Sequence, residues 1–150
     1  TYSFGEGVLS ADTGGQRDLS GGVSYGWGDF FGGTRRNIGG DISWVQSRRF
    51  GMSFSYDLND IELPQGDFVT RLLRLNTEVN FSSTVYWITL VQYDNVSEVL
   101  GVNARLRWIP TAGQEGLIVL NHSLQDRNKD NAFVSELNDV AVKLSYTFLN

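Results

Sequence analysis

His122 is the only histidine in this 150-residue chain, and there is no cysteine. A serine hydrolase needs a serine, a histidine and an orienting polar group converging on one wall. Ser123 follows His122 directly, so on a strand the two side chains point to opposite faces. That spacing excludes a local pair, and only a distant serine would serve. His122 therefore reads as a histidine near the outer rim of a strand. Asp126, Asn128 and Asp130 have the one-three-five spacing of a calcium loop, which wants glycine sixth and glutamate twelfth. Here the sixth residue is Asn131, and the twelfth is Leu137 with Glu136 beside it. The bidentate ligand is misplaced, and the stretch reads as a solvated polar loop. Gly26, Gly28, Gly32 and Gly33 surround a turn. A phosphate loop would need a helix start after them, and none follows. No catalytic residue, metal site or cofactor is expected, and the chain is not read as an enzyme.

One further set carries charge in a pattern. Arg74, Asn103, Arg105, Arg107 and Lys143 fall between apolar neighbours in alternating runs, and Glu78 falls between Thr77 and Val79. Placed on one interior face, such groups must pair or meet water. They would form a network that fills the interior and fixes register. In a wide pore they would be a basic wall that selects anions. The favoured role is structural, since side chains fill a barrel of eight strands and leave no pore.

The elements that would position them are strands. No amphipathic helix of useful length is present, and period-two alternation recurs in runs of about ten residues. The expected strands are 17–27, 35–45, 50–58, 67–81, 84–93, 99–109, 116–124 and a terminal one reaching the carboxyl end. Their apolar faces carry Leu19, Val23, Tyr25 and Trp27; Ile38, Ile42 and Trp44; Phe50, Met52, Phe54, Tyr56 and Leu58; and Val69, Leu73, Leu75, Val79 and Phe81. The run 84–93 is apolar on both faces, with Val85, Trp87, Val91 and Tyr93 favoured outward. The run 116–124 is also two-sided. Leu100, Val102, Ala104, Leu106 and Trp108 make a clean face, as do Val140, Val142, Leu144, Tyr146 and Phe148. Residues 1–10 form a further partial strand with Tyr2 and Phe4 on one face. The division is a leading arm or partial strand over 1–16 and a single barrel domain over 17–150.

Composition agrees. Seventeen acidic against 12 basic side chains give a net charge of −5, which disfavours nucleic acid as a partner. Seventeen glycines, nineteen aromatics and two prolines suit β-structure. No run approaches eighteen apolar residues, which excludes a spanning helix but not a spanning barrel. The chain starts at Thr1 without an initiator methionine or signal peptide, so it is a mature form or a piece of something longer.

If the chain ends on the periplasmic side, the connections 46–49, 82–83 and 110–115 lie there. The connections 28–34, 59–66, 94–98 and 125–138 then lie outside. The second set is longer, as outer-membrane barrels have it. Trp44, Phe50, Phe81, Trp108 and Phe148 fall at the periplasmic strand ends and would form one interfacial girdle. Tyr25, Trp27, Tyr56 and Tyr93 would form the other. The expected fold is all-β, an antiparallel up-and-down transmembrane β-barrel with about eight strands in view. The alternative is a soluble β-sandwich or ligand-binding barrel with the same alternation and its apolar face packed inward.

Three stretches carry a family resemblance: LPQGDFVTRLLRLNTEVNFS (63–82), LVQYDNVSEVLGVNARLRWIPTAGQEGLIVLNHS (90–123) and VAVKLSYTF (140–148). They resemble the carboxyl-terminal barrel of a bacterial family of unknown function. Its members usually join a periplasmic carbohydrate-binding-like domain of the family-nine type to a large outer-membrane barrel. The stretch 92–108 is the most specific part. The resemblance implies that the chain is the last portion of a longer barrel, and an odd strand total of eight plus a partial ninth points the same way. No sugar-binding role carries over, because the carbohydrate-binding-like domain is absent from these residues. Leu149 and Asn150 follow the terminal aromatic, where a closing aromatic is more usual.

The expected function is a non-enzymatic protein of the bacterial outer membrane, acting as a membrane anchor or part of a pore. Its partners would be the lipid bilayer of the outer membrane, the barrel-insertion machinery, and a missing amino-terminal barrel portion or partner subunit. The alternative is a soluble antiparallel β-sheet binding subunit of a larger assembly.

Overall fold

In a computed structural model the structure describes residues 5–126 and 134–147. Nine strands follow one another: β1 (Glu6–Asp12), β2 (Leu19–Phe30), β3 (Gly33–Ser47), β4 (Phe50–Leu63), β5 (Gly66–Asn80), β6 (Val85–Asp94), β7 (Val99–Trp108), β8 (Gln114–Gln125) and β9 (Val134–Tyr146). Each pairs antiparallel with its sequence neighbour in a single sheet ordered β1 to β9. Tight connections allow nothing else, because antiparallel neighbours need only a short turn. The leading segment is thus a sheet member: all seven residues of β1 pair with β2, from Glu6 opposite Gly28 to Asp12 opposite Gly22. Tyr2, Phe4, Phe148, Leu149 and Asn150 lie outside the described residues.

The sheet is open rather than closed. Among the described residues β1 pairs only with β2 and β9 only with β8.

Several strands run past their expected ends, and the expected difference in loop length does not survive. The ladder continues through 28–30, 33–34 and 59–63, leaving two-residue turns at 31–32 and 64–65. The other connections at that end span 95–98 and 126–133, and those at the opposite end span 13–18, 48–49, 81–84 and 109–113, so neither end has systematically longer connections. Local chemistry explains the extension. Phe31 (φ 45°) and Gly32 (φ 83°) both adopt positive φ, the hairpin turn whose twist matches the flanking strands. Replacing Gly32 with valine should destabilise the fold by about 1–2 kcal/mol, because a side chain resists left-handed backbone; a urea midpoint measures it. Phe81 is also corrected. It sits in the bend after β5 rather than on the strand. Likewise β9 starts at Val134, inside the stretch expected to be a loop to residue 138.

Candidate functional site

Directly paired residues of an antiparallel ladder share a face, so register sorts the side chains without ambiguity. One row runs Leu19, Trp44, Met52, Thr77, Thr89, Ala104, Leu120, Val140. Every second residue from this row lies on the same side. That face holds all four tryptophans (Trp27, Trp44, Trp87 and Trp108), together with Phe50, Phe54, Tyr56, Leu75, Val91, Val102, Leu106, Ile118 and Val142. The orientation favoured for 84–93 is the one observed, since Val91 pairs with Val102 and Trp87 with Leu106.

This face has no cover within the described chain. Val23 is 65% exposed and Leu144 79%, and among the described residues the buried apolar side chains are Ile61 and Ala104. The accessible surface is 10926 Å², whereas a compact domain of 16.7 kDa would expose roughly 7,600 Å². A single sheet one residue thick accounts for the excess, and there is no second layer to make a core.

Most of the aromatics on this face stand near two levels, with Phe54 between them. From Trp44 the row passes Met52, Thr77 and Thr89 to Ala104, four residues short of Trp108. From Tyr93 the row passes Leu73, Tyr56 and Gly40 to Val23, four residues short of Trp27. Each level drifts four residues over four strand steps, in the same direction. One residue per strand, at about 3.4 Å rise and about 4.8 Å spacing, corresponds to a strand tilt of about 35°. That value falls within the range of closed barrels. The separation of the levels is constant. Carried one residue per strand, the Trp44 level meets β2 at Ser20, beside Leu19, seven residues from Trp27. The Tyr93 level meets β7 at Gly101, beside Leu100, again seven residues from Trp108. Seven residues span about 24 Å along a strand, or about 19 Å perpendicular to the levels at that tilt. Within each level rings touch: Trp44 meets Phe50 edge-on at 5.6 Å, and Tyr25 stacks on Trp27 at 5.5 Å.

Beyond the Trp27–Tyr93 level the same face turns polar. Asp29, Thr34, Arg36, Asp60, Glu62, Asp67 and Arg71 all lie there by register. The four strands β2–β5 therefore rise past the apolar band as a charged ribbon.

All six residues expected on one polar face share that face. Arg74 pairs with Ser55 and Gln92, Glu78 with Gly51 and Ile88, Asn103 with Leu90 and Asn121, Arg105 with Ile88 and Val119, and Arg107 with Tyr86 and Leu117; Lys143 also pairs with Leu117. They do not make one continuous network. The contacts form three local groups. Arg107 Nε lies 2.6 Å from Glu115 Oε1 and Nη2 donates to Oε2 at 2.9 Å, while its guanidinium sits 5.5 Å above the Tyr86 ring. Asn103 Nδ2 donates to Asn121 Oδ1, and Arg105 Nε donates to Asn103 Oδ1 at 3.1 Å. Glu78 accepts from Asn80 Nδ2 at 3.2 Å. Arg74 borders a 350 Å³ hollow that also includes Asp12, Asp41 and Asp57, over a floor of Gly22, Gly39 and Gly40.

Glu115 and Tyr86 were missed from sequence, and each has a reason. Glu115 follows Gly113, which turns the chain at φ 86°, and so reads as loop. The signal was the hairpin register: Arg107 opposite Leu117 places Glu115 diagonally across. Because this ion pair, with its one hydrogen bond from Nη2, joins the two strands across the hairpin, it ties β7 to β8. Replacing Glu115 with lysine should lower the urea midpoint, and the exchanged pair Arg107→Glu with Glu115→Lys should recover part of the loss.

His122 lies on the apolar face, opposite Val102 and Asn138, with Nδ1 against Asn138 Oδ1. Ser123 lies on the other face, so register separates the two as the spacing required. Of the calcium-loop residues Asp126 is buried, and Glu136 and Leu137 are residues of β9; Asn128, Asp130 and Asn131 lie outside the described residues. Gly26 and Gly28 are strand residues of β2, and Gly33 begins β3.

No protein-family model matches the chain, and no curated protein matches it.

Proposed function

We propose that this chain forms part of the wall of a bacterial outer-membrane β-barrel, serving without catalysis as a membrane anchor or as part of a pore. The observation that carries this reading is the pair of aromatic levels, seven residues apart on β2 and again on β7. Interfacial girdles flank a lipid-facing band about 25 Å tall in such barrels. A soluble sheet has no reason to hold its aromatics at two fixed heights while its strands drift past one another. The exposed apolar face supports the same reading, since contiguous apolar surface this large calls for lipid or protein against it.

In this role the lipid bilayer contacts the face carrying Trp44 and Trp108. The barrel-insertion machinery delivers the chain, and further strands complete the wall. The polar face carrying Arg74, Glu78, Asn103, Arg105, Arg107 and Lys143 looks inward, where its paired groups hold register. The family resemblance of 63–82, 90–123 and 140–148 suits this assignment. The competing reading, a soluble sheet packed against another subunit through Leu100, Val102, Leu106 and Trp108, makes an opposite prediction for extraction. Membranes bearing the protein should retain it through alkaline carbonate and release it only with detergent, with migration on gels that changes on heating. Recovery as a stable soluble species without detergent would overturn the proposal.

A further inference from the structure

We infer that the gap between β9 and β1 is closed by an odd number of additional strands, supplied by polypeptide other than these nine and not by a second copy of them. The inference rests on the reading of the sheet as a barrel wall. Its basis is direction. Neighbouring strands alternate along the sheet, so β1 and β9, eight steps apart, run the same way. Both end toward the Trp44–Trp108 level: Asp12 lies opposite Gly22, near the Leu19 end of β2, and Tyr146 lies opposite Gln114.

Three ways of covering the edges can be compared. Direct joining of β1 to β9 would be a parallel contact in an otherwise antiparallel sheet. It would also give an odd total, against the even totals of single-chain bacterial barrels. A second copy fails for a related reason. Copies inserted the same way up are related by rotation about the membrane normal, which preserves strand direction. Every contact between their edges (β1 with β9, β1 with β1, or β9 with β9) is then parallel. Antiparallel contact would require an inverted copy, with the charged ribbon of Asp29, Arg36, Asp60 and Arg71 delivered to the other side. Leaving the edges bare is the worst choice, because each orphan backbone group in hydrocarbon costs several kcal/mol. An odd number of strands, the first and last both running opposite to β1 and β9, satisfies every edge group.

The edges also specify what those strands carry. Beside β9 the lipid-facing positions abut Val140, Val142 and Leu144, and the inner positions abut Lys143 and Asp139. Beside β1 they abut Leu9 and Ala11 on one face and Glu6, Ser10 and Asp12 on the other. The completing strands therefore alternate apolar and polar residues. An acidic or amide side chain suits the place beside Lys143, and a basic one suits the place beside Glu6 and Asp12.

Photocrosslinking in the full-length protein within its own membrane tests this. A photoreactive phenylalanine is placed at Val140 in one variant and at Leu144 in another, and the linked peptides are mapped by mass spectrometry. Both should capture one strand lying outside residues 1–150, with the Leu144 attachment about four residues nearer that strand's amino terminus than the Val140 attachment. Attachment in the opposite order marks a parallel neighbour and overturns the inference. So does capture of residues 6–12, from the same chain or another copy, and so does capture of no strand at all. Quenching of tryptophan fluorescence by brominated lipid is read on the same samples. Quenching with a parallel neighbour sinks the inference and leaves the membrane role standing; an antiparallel neighbour without quenching does the reverse.

Discussion

Replacing Val23 with arginine should destabilise the lipid-embedded protein by about 2–4 kcal/mol, whereas the same change at Leu19 should cost only about 0–1 kcal/mol. Val23 stands about midway between the two aromatic levels on β2, and Leu19 stands beside the Trp44 level. Both are well exposed on the free sheet, at 65% and 59%. In water an exposed valine exchanged for arginine changes stability by no more than about 0.5 kcal/mol. The large and depth-dependent difference arises only if hydrocarbon solvates this face. Urea unfolding from lipid vesicles gives both values, and equal midpoints for the two variants would refute a bilayer contact.

Replacing Gly33 with leucine should cost about 1–3 kcal/mol, typical of an overpacked site. A Cβ at Gly33 would collide with the Glu62 carbonyl and crowd Leu63 Cα. Relief requires β3 to move away from β4 and to surrender pairing near Thr34 and Glu62. Gly51 supplies the comparison. Nothing lies within 4 Å of the Cβ position there, and leucine at Gly51 should change stability by no more than about 0.5 kcal/mol. Equal effects at the two positions would show that β3 and β4 do not approach as closely at Gly33.

Alternation carried most of the architecture. Wherever an apolar residue recurs every second position, as from Phe50 to Leu58 or from Leu100 to Trp108, sequence alone assigns the strand, its face and its neighbours' faces. It fails where the apolar face turns polar and the opposite face is mixed. Asp29, Thr34 and Arg36 alternate with Phe30 and Arg35 beyond the apolar band, and Asp60 and Glu62 alternate with Asn59 and Ile61. Those segments lose the amphipathic signal while the backbone ladder continues, so they read as loops. The polar-face residues were legible as a set because the same alternation put most of them between apolar neighbours. Their partners were not, because the Arg107–Glu115 pairing depends on where the hairpin at 109–113 turns, and turn length was misjudged by a few residues. Closure was beyond reach for a different reason: among the described residues nothing pairs with the outer edges of β1 and β9.

In a barrel wall, a fixed height of about 19 Å between the aromatic levels would also be a ruler. Bilayers built from short acyl chains would meet both tryptophan levels at once. A bilayer of ordinary thickness, near 30 Å, would have to thin locally around the wall or leave one level stranded in its tails, at a fraction of a kcal/mol per ångström. The protein should therefore insert faster and resist urea better as vesicle lipids are shortened, and the preference would sort it toward the thinnest membrane a cell possesses.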